Sequence, residues 1–167
     1  RDIRFDIQRL EGYRNFCNKL WNATRYVLGQ VQNFPPPPHP EELSFSDHWI
    51  YQRLETTKMQ CEKHLTEYRF DLLSKTLYDF VWHDFCDWYI ELSKPRLKTN
   101  QASVTEHTLL CVLEETVRML HPIIPFITEA IWQELKPVMK LQGASIMISR
   151  YPEINHKRFQ QNCDKPM

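Results

Sequence analysis

Apolar side chains recur at helical spacing in five successive stretches of this chain, and proline falls between the stretches. That pattern predicts an all-α fold. In residues 11–28, EGYRNFCNKLWNATRYVL, a turn of about 100° per residue gathers Tyr13, Phe16, Cys17, Leu20, Trp21, Thr24, Val27 and Leu28 on one side. The spacing predicts a helix from near Asp6 to Leu28, stopped by Gly29. A second helix starts at an N-cap Ser46 or Asp47 and buries Trp49, Ile50, Leu54, Thr57, Cys61, Leu65 and Tyr68. A third, after a break near Phe70, buries Leu73, Leu77, Phe80, Val81, Phe85, Trp88, Tyr89 and Leu92, and ends at Pro95. The fourth carries Leu109, Leu110, Val112, Leu113, Val117 and Leu120. The fifth opens at Pro125, carries Ile127, Ile131, Trp132 and Leu135, and stops at Pro137. Only three glycines occur, too few for a β-rich or Gly-loop nucleotide fold. The expected architecture is an antiparallel bundle of four to five helices over residues 1–152, with a short extended segment at 144–149. Residues 153–167 are expected to form a polar, frayed linker.

With 167 residues, 42% hydrophobic and 13% aromatic, the chain can bury a core. The loop at 32–45 holds Pro35, Pro36, Pro37 and Pro38, which favour polyproline II and forbid a helix. A P-x-x-P ligand for a partner domain is one reading; a rigid spacer is the simpler one. No apolar run reaches the roughly 18 residues of a membrane span. Five cysteines (Cys17, Cys61, Cys86, Cys111, Cys163) include no C-x-x-C pair, so a zinc or redox motif has no support. Cys17, Cys86 and Cys111 lie on apolar stripes, which fits a reducing compartment and predicts a cytoplasmic location. Arg1 at the start leads us to expect an excised piece of a longer protein.

The other side of the first helix collects Glu11, Asn15, Asn18, Lys19, Asn22, Arg25 and Tyr26. Asn is a poor helix former, so three of them on one solvent face are unusual. Amides that donate and accept, beside cations and a ring, suit unstacked nucleic-acid bases. Net charge is zero but unevenly spread. Residues 1–31 carry six Lys/Arg against three Asp/Glu, residues 41–93 five against eleven, and residues 94–167 ten against seven. Local basic patches would have to hold a phosphate backbone; ordinary surface variation explains the same counts. Trp21, Trp49, Trp88, Tyr89 and Trp132 are expected in the core, and Tyr26 on the polar face as a stacking platform.

His83, Asp84, Cys86, Asp87 and Glu91 crowd the third helix, but no second cluster supplies the further ligands a metal needs. A polar helix face is the reading adopted. No G-x-S-x-G, Walker or G-x-G-x-x-G motif occurs, so no catalytic residue is assigned.

Four stretches resemble a known family. Residues 11–28, YRFDLLSKTLYDFVWHDFCDWYIELSKP (68–95), LHPIIPFITEAIWQEL (120–135) and SIMISRYP (145–152) are similar, in this order, to the anticodon-binding domain of valyl-tRNA synthetases. The resemblance implies a helical bundle that grips the anticodon loop of tRNA(Val). The enzymes it resembles attach valine to tRNA with ATP and Mg²⁺ and hydrolyse misacylated threonine in a separate domain. The HIGH and KMSKS signatures, the editing insertion and the coiled coil are absent here. This piece is therefore expected to bind without catalysing, to need no cofactor, to sit beside its own catalytic domain, and to be monomeric. Residue by residue, the resemblance puts RNA contacts at Arg4, Lys19 and Tyr26, the last an aromatic position that is Phe in many members. At Gln8 some members carry Arg. Asn15, Asn22 and Arg25 are further candidates, and Arg14 is expected to pair with an acid of the second or third helix. A sister isoleucyl or leucyl specificity, and a helical protein-interaction module, are the alternatives.

Overall fold

The computed structural model describes residues 6–160, and of Arg9, Phe159 and Gln160 only the backbone. Helix α1 (Ile7–Gln30) starts where the Asp6 carboxylate accepts the Gln8 N–H at 2.9 Å. Gly29 does not end it; the chain turns off at Val31, which is buried and extended. Helix α2 (Phe45–Thr66) begins earlier than expected, at Ser44. There the Ser44 hydroxyl accepts the Asp47 N–H at 3.1 Å and the Asp47 carboxylate accepts the Ser44 N–H at 2.9 Å, a reciprocal cap. Tyr68, at φ 55°, breaks the chain between α2 and the next helix. That helix is α-helical over Phe70–Asp79, π-helical over Phe80–Tyr89 and α-helical again over Ile90–Ser93. The three run on without interruption and form α3. Helix α4 spans Ala102–Leu120, and Pro125 opens α5 (Pro125–Met139). Pro137 sits inside the last turn of α5 instead of stopping it, and Lys140 at φ 55° makes the end. Residues 144–149 are not extended throughout; they hold a 3₁₀ turn at Ile146–Ile148. A last turn, α6, covers Lys157–Gln160. No strand occurs among the described residues, and none of their helices is long and apolar enough to cross a membrane.

Side-chain pairs give the helix directions. Asp47 meets Tyr89 and Arg53 meets Asp84, so α2 and α3 are antiparallel. Lys58 pairs with Glu115, and Phe16 stacks on Tyr78 while Lys19 reaches Asp87. Leu20, Val27, Ile50, Leu54, Leu77, Phe80, Phe85, Leu110, Leu113, Ile131 and Trp132 fill the space between the helices. Each contributes about 1.5–3 kcal/mol on full burial. The proline loop is a docked spacer: Phe34 stacks on His107 of α4 at 4.8 Å, and the Pro35 carbonyl accepts from His107 Nδ1 at 2.9 Å.

Several expected core positions lie outside. Trp88 is 60% exposed and Leu92 48%, whereas Tyr89, Ile90 and Ser93 are buried. The π-helical stretch closes i→i+5 bonds, seen where the Ile90 N–H donates to the Phe85 carbonyl. It therefore adds about one residue per turn and moves the core stripe one position onward. On α1, Trp21 and Tyr13 are exposed while Ala23 is buried. The helix is thus rolled toward α3, and that roll carries Lys19 and Tyr26 inward.

The segment expected to fray is tied down as far as Arg158. Glu55, wholly buried, accepts from the Asn155 N–H at 2.7 Å, from Arg158 at 2.7 Å and from Lys58 at 2.9 Å. Lys58 also pairs with Glu115 and donates to the Glu153 carbonyl at 3.1 Å. Arg158 holds Glu115 at 3.0 Å and covers the Tyr51 ring at 4.2 Å. Two cations and two carboxylates thus close a neutral cluster that binds the chain end to α2 and α4.

Candidate nucleic-acid interface

Helices α1 and α3 run side by side in the same direction. Along their seam Phe16 stacks on Tyr78 at 5.0 Å and Tyr78 on Trp82 at 5.4 Å. Next the Lys19 ammonium lies 4.1 Å above the Trp82 ring and 2.5 Å from Asp87 Oδ1. Farther on, the Lys94 ammonium lies 5.8 Å from the centre of the Tyr26 ring. Lys94 is itself held by both oxygens of Glu91 at 2.7 Å. The second Asp87 oxygen faces His83 Nδ1 at 3.3 Å. The hydrogen bond from Lys19 holds the Asp87 carboxyl below its ordinary value against a smaller upward push from burial. These exposed pairs contribute little stability, about 0–1 kcal/mol each. Their effect is on where the charges sit.

The expected contact residues divide clearly. Gln8, Asn15, Lys19, Asn22 and Tyr26 follow one another at three-, four- or seven-residue steps and share one stripe beside the seam. Gln8, Asn15 and Asn22 are exposed; Lys19 and Tyr26 are half-buried against α3. Arg25 is exposed one step around the helix, with its side chain turned away from the seam. Arg4 lies outside the described residues. Arg14 is exposed and makes no ion pair with a described residue, so the expected partner on α2 or α3 is missing: the roll of α1 turns it to solvent.

Two seam residues, Trp82 and Lys94, are not singled out by the sequence, and Asp87 and His83 stand out in it only as part of a polar helix face. Their helical spacing assigns them to a polar face of α3 without saying that α1 lies against it. The acidic character of residues 41–93 is largely balanced where it occurs. Asp84 meets Arg53 at 2.8 Å, Asp71 meets Arg69 at 2.7 Å and Glu91 meets Lys94. Among the described residues no three His, Cys, Asp or Glu side chains are grouped so as to hold a metal ion.

A surface of this kind can do three things. Exposed amides can read base edges, a half-buried ring can support a base, and fixed ammonium groups can meet phosphates.

Comparison with known proteins agrees with this chemistry. Residues 47–165 match the family described as the anticodon-binding domain of tRNA ligase. A valine--tRNA ligase of Legionella pneumophila (strain Lens) is 46% identical over 181 aligned residues, covering all of this chain and 19% of the relative. One of Neisseria meningitidis serogroup B is 48% identical over 176, with the same coverages. One of Xanthomonas oryzae pv. oryzae (strain PXO99A) is 46% identical over 157, covering 92% of the chain and 16% of the relative. The chain thus spans about a fifth of the length of the relatives it matches. With the matched segment running from the first turns of α2 to beyond α6, the chain belongs to the anticodon-binding domain family of tRNA ligases.

Proposed function

We propose that this chain is the anticodon-reading domain of a valine--tRNA ligase, and that the α1–α3 seam is where the anticodon lies. The relatives support the choice of valine. One observation carries the placement: Lys19, Asn22 and Tyr26 stand in a row beside the seam. At 1.5 Å per residue the row is about 10 Å long. Bases stacked at about 3.4 Å would put three nucleotides along it. Tyr26 supports a base, the Asn22 and Asn15 amides meet base edges, and Lys19 meets a phosphate or an acceptor on a base. Gln8 and Arg4 extend the contact toward the start of α1, and Arg25 meets the backbone from outside. The ligase to which such a domain belongs would join valine to tRNA(Val) with ATP and Mg²⁺ through other domains, in the cytoplasm, with this domain against its catalytic body.

A titration tests the reading. We expect the chain to bind a tRNA(Val) transcript more tightly than one altered only in the anticodon, and both more weakly as salt rises. Tyr26→Ala should remove about 1–3 kcal/mol of the binding to the intact transcript. Equal affinity for both transcripts, or preference for an isoleucine or leucine tRNA, would overturn it. Salt-independent indifference to RNA would favour the protein-interaction module instead.

A further inference from the structure

Among the described residues proposed to meet RNA, Lys19 is the one whose charged group the protein already holds at two points. Its ammonium caps the Trp82 ring at 4.1 Å and bonds Asp87 Oδ1 at 2.5 Å. Both points come from the π-helical part of α3. We propose that Asp87, presented by this π-helical stretch, is a specificity-determining positioning residue: with Trp82 it forms a socket that delivers Lys19 to the RNA from one fixed place. The proposal rests on the reading of the seam as an anticodon interface.

The backbone explains why the socket exists. Trp82 and Asp87 are five residues apart. In an α-helix, five steps of about 100° would set them about 140° apart, on different faces. A helix closed by i→i+5 bonds turns about once in 4.4 residues, so five steps bring them to within about 50°. One ammonium can then touch both. π-helical turns are rare, and recur at functional sites. Here the turn does two things at once: it rotates Trp88 out of the core and aligns Trp82 with Asp87 beneath Lys19. His83, at 3.3 Å from the other Asp87 oxygen, keeps that carboxylate from rotating away.

The socket changes what Lys19 can recognise. A free lysine is a mobile point charge with about 2 kcal/mol of rotamer entropy, and it meets any phosphate in reach. Such contacts are independent of sequence. With one proton committed to Asp87 and one side against Trp82, Lys19 keeps its remaining donors in a restricted direction, and its charge is locally offset. Attraction to RNA in general falls, and only an acceptor in the right place gains the full contact. Asp87 touches no RNA in this scheme; it acts through Lys19.

The test uses Asp87→Asn in the whole chain, with affinities for the tRNA(Val) transcript and for its anticodon-altered version. Asp84→Asn is the control, because it makes the same charge change three residues away, on a carboxylate that meets Arg53 and not Lys19. We expect Asp87→Asn to tighten binding of the altered transcript and to lower the preference for the intact one about five- to tenfold, as contacting residues couple. Asp84→Asn should leave the preference within about twofold, and so should Asp87→Asn in a Lys19→Ala background. An unchanged preference in Asp87→Asn, an equal loss in Asp84→Asn, or a loss that persists without Lys19 would overturn the proposal. Thermal melts of each variant separate misfolding from a change in reading. If the wild-type chain ignores the anticodon, the function proposed above fails first, and this inference with it.

Discussion

Lys58→Met is expected to lower the unfolding free energy by about 3–5 kcal/mol, because it removes one partner from a buried ionic cluster. The Lys58 side chain is 2% exposed and that of Glu55 0%, so the carboxylates left behind have no water to turn to. Met keeps the length and volume of the stem, so the loss reports charge, not a cavity. For a domain of this size, about 2–4 °C in Tm per kcal/mol makes the shift about 6–20 °C. Acid should act oppositely on the two proteins. Burial pushes the Glu115 carboxyl up, but Arg158 and Lys58 together outweigh that and hold it below its ordinary 4.5. The folded wild type therefore gives up that site's proton more readily than the unfolded chain. The stability it adds is complete at neutral pH, declines as pH drops below about 4.5, and is lost once the folded group is protonated. In Lys58→Met a proton instead restores neutrality, so the deficit against wild type narrows on acidification. Urea titrations at neutral and acid pH measure both. A loss below about 1 kcal/mol, or a deficit that widens in acid, would contradict the cluster's assigned role.

Trp132→Ala is expected to cost about 3–5 kcal/mol, through lost burial and the cavity left behind. Trp132 is 1% exposed on α5, the helix that packs on both α4 and α1. Its indole N–H finds no hydrogen-bond partner among the described residues. Trp132→Phe removes that buried, unpaired donor while keeping a ring, and should lose less than half as much. Denaturation of the two variants side by side gives the answer. Equal losses would mean that the indole N–H, not the ring's volume, sets the value.

The five helices were legible in the chain because long apolar stripes at 3.6-residue spacing have few other meanings. The same rule explains the errors. It assumes an unbroken α-helix, and the ten residues Phe80–Tyr89 do not obey it. Phe80, Val81 and Phe85 fall where the extrapolation puts them, and from Trp88 onward it is one residue early. Nothing local marks FVWHDFCDWY as π-helical; the side chains that bond to it, Lys19 and Asp47 among them, come from other helices. Asn15, Asn22 and Tyr26 could be picked out as an odd solvent face because that judgement needs only one helix. Trp82, Asp87 and Lys94 could not, because their significance depends on α1 lying alongside α3. The docked end at 153–158 was hidden for a similar reason. Arg158 reads as a surface charge until Glu55 and Glu115, from two other helices, are placed around it.

The central claim is that the anticodon lies in the α1–α3 seam. Backbone amide shifts of the labelled chain, recorded while an anticodon stem-loop of tRNA(Val) is added, test it most directly. The account predicts that the largest shifts fall on α1 from Asn15 to Tyr26 and on α3 from Trp82 to Lys94, and weaken when the anticodon is altered. Shifts confined to the far side, along α2 and the 151–156 segment, with the seam unmoved, would contradict it.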